Sequence, residues 1–289
     1  MSYAFRKLYT ICCTIVWLSI QPLWAQDTVA TPPVTANETP LVYTFTIEEG
    51  IFEPALRIFN AAMDEADSLQ ADLILLRLDT YGGAVDVADK MRTRLLNTDI
   101  PTAVFIINNA ASAGALISVA CDSIYMRKEA TIGAAVVVDQ QGGAAAEKYQ
   151  SYFREKFRAT AEAKGRDPDI AEAMVNPDVA IPGVIDSGKI LTFTAKEALA
   201  NDYCDKIVKT EAEALAHIGL DTYDEIQYTS STIDEIVRFF TQPAVSGILL
   251  TVIFFGIFFE LQSPGIGFPL VAAIAAGVFY FTPLYLDGL

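Results

Sequence analysis

Leu73-Ile-Leu-Leu-Arg-Leu78 runs directly into Asp79-Thr-Tyr-Gly-Gly83, and some thirty positions on Thr102-Ala-Val-Phe-Ile-Ile107 runs into Asn108-Asn-Ala-Ala-Ser112-Ala-Gly114. Each apolar run has the length and branching of a strand buried on both faces, and each is followed by a helical pattern, Val85 to Leu96 and Ser112 to Ala120. Two strand-to-helix corners are therefore expected. The same unit occurs upstream, where Leu41 to Ile47 alternates as a strand and Glu53 to Asp67 spaces Leu56, Phe59, Ala62, Met63 and Ala66 at helical intervals. Ser123 to Met126 adds a further strand. Strands alternating with helices predict an α/β domain with parallel pairing and right-handed crossovers. Sites in such sheets gather outside the carboxyl ends of the strands, where Asp79–Gly83 and Asn108–Gly114 both fall.

Downstream, a charged helix is expected from Ala145 to Lys164, stopped by Gly165, with a brief continuation over Ala171 to Val175. Phe193 to Val208 reads as a turn, a short helix (Ala195 to Ala200) and a closing strand. A helix from Glu211 to Ile218 then leads toward the membrane-proximal stretch, residues 229–243.

Both ends of the chain are apolar. Arg6 and Lys7 precede an apolar run from Leu8 to Ile20, and Leu23-Trp24-Ala25 supplies a small-residue exit, the layout of a signal peptide over residues 1–25. Residues 26–40 are rich in Thr, Pro, Ala and Val without period and read as a flexible linker. The folded unit is expected over 41–228. Ala244 to Leu261 and Phe268 to Leu286 each approach the roughly 20 residues that cross a bilayer as a helix, and the Ser-Pro-Gly-Ile-Gly turn between them predicts a transmembrane hairpin over 244–289. A membrane protein with its main domain on the exported side, periplasmic or extracellular, is the expectation.

The formal charge is −16, from 36 acidic and 20 basic residues, which argues against nucleic acid or an anionic lipid surface as partner. Cys121 and Cys204 lack metal-site spacing, so no metal or cofactor is expected; they form either one disulfide or two separate buried thiols.

Ser112 stands at the start of its helix among Ala110, Ala111, Ala113, Gly114 and Ala115. It could be a simple N-cap, but neighbours this small also leave a hydroxyl open to a substrate backbone. Gly82 and Gly83 could merely permit a tight turn. Placed at the same sheet edge, their amides and that of Ala113 become oxyanion donors beside a serine nucleophile. The only histidine, His217, lies in an acidic helix more than 100 positions away, which disfavours a Ser-His-Asp relay. A desolvated lysine is the remaining common base, with Lys148, Lys156 and Lys164 as candidates on the long helix.

Asp79-Thr-Tyr-Gly-Gly83, Ala111-Ser-Ala-Gly114, Ile132-Gly-Ala-Ala135, Glu147-Lys148, Gly165-Arg166 and Thr194-Ala-Lys-Glu-Ala198 occur in this order. They are followed by spans containing Phe259-Glu-Leu-Gln-Ser-Pro-Gly-Ile-Gly267. This set resembles the NfeD family of membrane-bound serine proteases, which is related to signal peptide peptidase A and, more distantly, to the Clp protease proteolytic subunit. The resemblance runs from about Leu41 to the end of the chain. It implies a ClpP/crotonase-like fold of repeated β-β-α type, a Ser-Lys dyad with Ser112 as nucleophile, a homo-oligomer, and partnership with a stomatin or flotillin-type membrane protein. It also implies further membrane helices and a small C-terminal OB-fold module in other members, a module expected here to be absent or encoded elsewhere. Two positions depart from the family pattern. Tyr81 replaces the proline of Thr-Pro-Gly-Gly, and aligning Gly165-Arg166 puts Arg158 where proteolytic members carry lysine, although arginine cannot serve as an ordinary base. Lys156 is then the first candidate base and Lys148 the second. The expected function is a membrane-anchored serine endopeptidase acting on hydrophobic or membrane-derived peptides. The rivals are a proteolytically silent scaffold and a crotonase-like acyl-CoA enzyme, the latter disfavoured by export.

Overall fold

The computed structural model describes residues 39–48, 50–138, 143, 145–230, 232–262 and 267–286. The expected signal peptide and nearly all of the expected linker lie outside the described residues. Three strand-helix units begin the folded part: β1 (Leu41–Ile47) and α1 (Glu53–Leu69), β2 (Leu73–Thr80) and α2 (Val85–Leu96), β3 (Thr102–Ala111) and α3 (Ala113–Ala120). There follow β4 (Ser123–Met126), β5 (Thr131–Gly133), α4 (Glu147–Ala163), α5 (Pro168–Ala173), β6 (Thr192–Thr194), α6 (Ala195–Ala200), β7 (Lys206–Ile207), α7 (Glu211–Ile218) and β8 (Asp224–Gln227). The chain closes with α8 (Thr232–Thr241), α9 (Pro243–Gln262) and α10 (Phe268–Leu286).

The strands form one mixed sheet in the order β6-β5-β3-β2-β1-β8, with β4 and β7 branching from β3. Every pairing is parallel except β5 with β6. β3 is long enough to pair with β4 through its first half and with β5 through its second. That extension carries the chain four residues past the expected strand end and delivers Ser112 at the carboxyl edge of the sheet.

The principal core lies on one face of the sheet, where Phe45, Leu76, Leu78, Val104 and Ile106 meet α1 to α4. α3 is buried at all eight positions, as its mostly Ala, Leu, Ile and Val sequence requires. The opposite face is thinner: Val42, Leu75, Phe105 and Tyr125 pack beneath Ala214 and Leu215 of α7. α4 was expected over Ala145 to Lys164 and closes at Ala163, with Gly165 at φ +70 beyond it. β5, β6, β8 and α8 were not foreseen.

Cys121 and Cys204 are separate buried thiols rather than a disulfide. Burial pushes both up to about 12. Thiols of the unfolded chain ionise from about 8.5, so the folded state keeps a proton the unfolded state sheds. Stability should therefore fall as pH rises from about 8.5 toward about 12, and Cys121 and Cys204 should resist iodoacetamide at pH 8 until denaturant is added.

α9 and α10 are long and apolar enough to span a bilayer. They pack closely where Gly256 meets the neighbouring helix: a Cβ there would lie 2.5 Å from the Pro269 carbonyl oxygen and 2.7 Å from Ala273 Cβ.

Candidate functional site

Asp79 ties the two corners together. Its carboxylate accepts from Asn108 Nδ2 at 2.6 Å, from the Asn109 amide at 3.0 Å and from Asn109 Nδ2 at 3.2 Å, which fixes the end of β2 to β3 where the register shifts between Leu78 and Thr80. The chain then turns through Tyr81, which projects into solvent, to Gly82 at φ +107.

Gly82 and Ser112 touch. A Cβ added to Gly82 would lie 2.5 Å from Ser112 Cβ and 3.0 Å from its Oγ, so only glycine admits this approach. Gly114 makes the reciprocal fit, since a side chain there would strike Thr80 Cγ2 at 2.5 Å. Gly83 lies against Ile51 in a parallel bridge, held by Ile51 N to Gly82 O at 3.0 Å and Ala84 N to Ile51 O at 2.8 Å. The expected convergence of the serine with the glycine turn is present.

Ser112 is the N-cap residue of α3 by position but not by bonding. Its side chain makes no cap hydrogen bond, and its backbone sits at φ 54, ψ −116. Such a conformation costs a non-glycine residue about 1–3 kcal/mol. It is sustained by Ser112 N donating to Gly133 O at 2.9 Å and by Ala115 N donating to Ser112 O at 3.0 Å. A strained strand-to-helix turn that frees the hydroxyl is the arrangement a nucleophilic serine requires.

The three expected oxyanion donors differ. The Gly82 amide donates to Thr80 Oγ1 at 3.1 Å, so it is already engaged and Gly82 contributes clearance. Among the described residues the Gly83 and Ala113 amides take no protein acceptor. Ala113 N also stands at the positive end of α3. Gly82→Ala is expected to displace Ser112 and lower its acylation by about 10²-fold, the penalty of roughly 1 Å of misplacement, measured as the rate of labelling by a serine-directed probe.

The lysines on α4 fare unequally. Lys156 Nζ pairs with Asp89 Oδ2 of α2 at 3.0 Å and lies over the Tyr152 ring. Burial opposes its charge, but the Asp89 carboxylate and the Tyr152 hydroxyl outweigh that and hold the amine above its ordinary range. Lys164 pairs with Asp122 at 2.6 Å. Lys148 makes no ion pair among the described residues; its amine lies 4.7 Å from the centre of the Tyr149 ring. It lines an open cleft with Val85, Asp89, Tyr149 and Tyr152, and Val85 is two positions beyond Gly83. No lysine amine bonds to Ser112 among the described residues. Arg158 faces the other way, bridging to Asp169 and Glu172 of α5 at 2.7 Å each. His217 bonds the Tyr125 hydroxyl at 3.1 Å on the α7 face of the sheet, remote from the α3 face, so it takes no part in the site. Among the described residues no His, Cys, Asp and Glu group is arranged to hold a metal ion.

Arg166 was noted in the sequence only as part of a dipeptide. The residue is 8 % exposed, and its guanidinium donates to the carbonyls of Val119 and Cys121 at 3.0 Å and of Asp122 at 3.2 Å. It closes the carboxyl end of the helix whose other end bears Ser112. The α3 sequence, with no basic residue in its last turn, was the available signal that some distant cation must satisfy those carbonyls.

Residues 41–229 match the NfeD1b N-terminal domain and residues 244–289 the NfeD integral membrane domain. Membrane protein NfeD1b of Bacillus subtilis (strain 168) is 31% identical over 245 residues, 84% of this chain and 56% of that protein. Membrane-bound protease PH1510 of Pyrococcus horikoshii is 24% identical over 249 residues, 81% of this chain and 55% of that protein. The chain thus spans about half the length of the curated relatives it matches. The solved 1510-N membrane-bound stomatin-specific protease, a lysine-to-alanine mutant in complex with a substrate peptide, superposes with a TM-score of 0.60 at 22% identity, covering 71% of this chain and 99% of its own. A serine-to-alanine mutant of the same protease gives 0.58 at 22% identity, over 68% and 100%. At that identity the likeness establishes a shared fold. With both of its parts matched in order, the chain belongs to the NfeD family of membrane proteins.

Proposed function

We propose that the protein is a membrane-anchored serine endopeptidase working through a Ser112 acyl-enzyme. The observation that carries this reading is the uncapped hydroxyl of Ser112 on a strained turn, pressed against Gly82. Ser112 Oγ attacks a peptide carbonyl while a neutral amine takes its proton. The Gly83 and Ala113 amides receive the oxyanion, the protonated amine returns its proton to the departing peptide nitrogen, and water then hydrolyses the ester.

Lys148 is the base we favour, ahead of Lys156. Lys156 is bound to Asp89, an anion that stabilises its charged form, whereas Lys148 makes no ion pair among the described residues and lies on a cleft, also lined by Asp86, Asp89 and Lys90, that a bound peptide would cover. Covering an amine removes it from water and favours its neutral form. Hydrogen bonds between catalytic groups commonly tighten only in the substrate complex.

The substrate class we infer is a segment of a stomatin or flotillin-type membrane protein. It rests on relation to a protease described as stomatin-specific and on the apolar surface of Val85, Tyr149 and Tyr152 in the cleft. The exported side is the proposed location of the catalytic unit, and a homo-oligomer its proposed state. A second reading, a silent scaffold binding the same partner, is favoured by the lack of any lysine bonded to Ser112 among the described residues.

A fluorophosphonate probe applied to the detergent-solubilised full chain decides between them. One adduct is expected, mapping to the peptide that contains Ser112. No adduct, or one on another serine, removes the peptidase reading and leaves the scaffold.

A further inference from the structure

α8 separates the catalytic sheet from the two spans and has a divided apolar face. At 100° per residue Phe239, Ile236, Phe240 and Val237 occupy an arc of about 160° around the helix. One flank of that arc is packed: Val237 is buried, and Phe240 stacks on Phe279 of α10 at 4.9 Å between ring centres, 14° from parallel. The other flank is bare, with Ile236 51% and Phe239 53% exposed. A surface helix packed on a protein core would turn such residues inward.

The stack on Phe279 fixes where α8 lies along the hairpin. Phe279 belongs to the last turns of α10, together with Tyr280 and the exposed Tyr285, and α9 starts at Pro243, directly after α8. Tyrosines concentrate where a spanning helix leaves the hydrocarbon for the headgroups. The bare flank of α8 is also continuous in kind with the uncovered apolar surface of the spans, where Ile248, Phe254 and Phe258 are exposed.

We propose that α8 lies along the bilayer surface with Ile236 and Phe239 sunk among the lipid headgroups, forming a third membrane contact that holds the catalytic unit at the lipid boundary. The attraction is apolar burial rather than charge, because the helix carries Asp234 and Glu235 against Arg238. A zwitterionic bilayer therefore suffices, and added salt should not release the helix.

The test uses the full chain reconstituted in phosphatidylcholine vesicles, with Phe239→Trp placed in a Trp17→Phe/Trp24→Phe background that removes the two native tryptophans. Ile236→Trp serves as an independent second probe. The expected result is blue-shifted emission, quenched by brominated phosphatidylcholine, shielded from aqueous iodide and unchanged by salt or by dilution of protein in lipid. Red-shifted emission quenched by iodide would overturn the proposal by placing the flank in water. Shielding from iodide that lacks bromolipid quenching and disappears on dilution in lipid would overturn it in favour of a contact between two copies of the chain.

Discussion

Ser112→Ala is expected to abolish both probe labelling and peptide cleavage, and Lys148→Met to lower both by about 10²- to 10⁴-fold, the range general base catalysis supplies. Lys156→Met should keep most of the activity, because that amine is occupied by Asp89. The three variants together are more informative than any one. A large loss for Lys156→Met with little for Lys148→Met would hand the base to Lys156 and imply that substrate breaks the Asp89 pair. No loss of labelling or cleavage for either would exclude both amines as the base, whereas the scaffold reading expects the parent chain itself neither to label nor to cleave. Far-UV circular dichroism on each variant separates these outcomes from unfolding, and Lys148 on the open cleft carries little of the packing.

Arg166→Met is expected to cost about 3–5 kcal/mol, a large share of the roughly 5–15 kcal/mol that holds a domain together. Three carbonyls at the end of α3, two buried and that of Asp122 part-buried, would lose a charged donor, and hydrogen bonds to charged groups contribute about 1.5–3 kcal/mol each before overlap is allowed for. The positive charge also opposes the negative end of the helix dipole. Arg166→Lys should recover only part of the loss, since one ammonium cannot reach Val119, Cys121 and Asp122 as a planar fork does. Denaturant unfolding in detergent measures it, and a loss below about 1 kcal/mol would show that water reaches these carbonyls.

Much of this was legible in the chain. The strand-helix alternation specified the parallel sheet, and the small residues flanking Ser112 together with Gly82 specified the meeting of two corners, because any Cβ at Gly82 would come within 2.5 Å of Ser112 Cβ. The lysine was not legible, for a geometrical reason. Lys156 and Arg158 are about 200° apart on α4, on either side of the stripe formed by Phe153, Phe157 and Ala161. That stripe shows which face is buried but not which helix flanks it, and it is α2 that offers Asp89 on one side and α5 that offers Asp169 and Glu172 on the other. β8 was hidden for a different reason. Asp-Glu-Ile-Gln has one branched apolar residue and no alternation, and it becomes a strand only because the edge of β1 accepts its backbone. α8 was masked by its position beside two far more apolar runs.

β8 runs parallel to β1 and so leaves the sheet at the edge that presents Ser112. From its end at Gln227 only residues 228–231 intervene before α8 begins at Thr232, a tether of at most about 18 Å when fully drawn out. On the proposed placement of α8 and the proposed role of Ser112, so short a leash would make height above the membrane a selection rule in its own right. A scissile bond far out on a soluble loop would be out of range whatever its side chains, while one close to where its polypeptide emerges from lipid would be within reach.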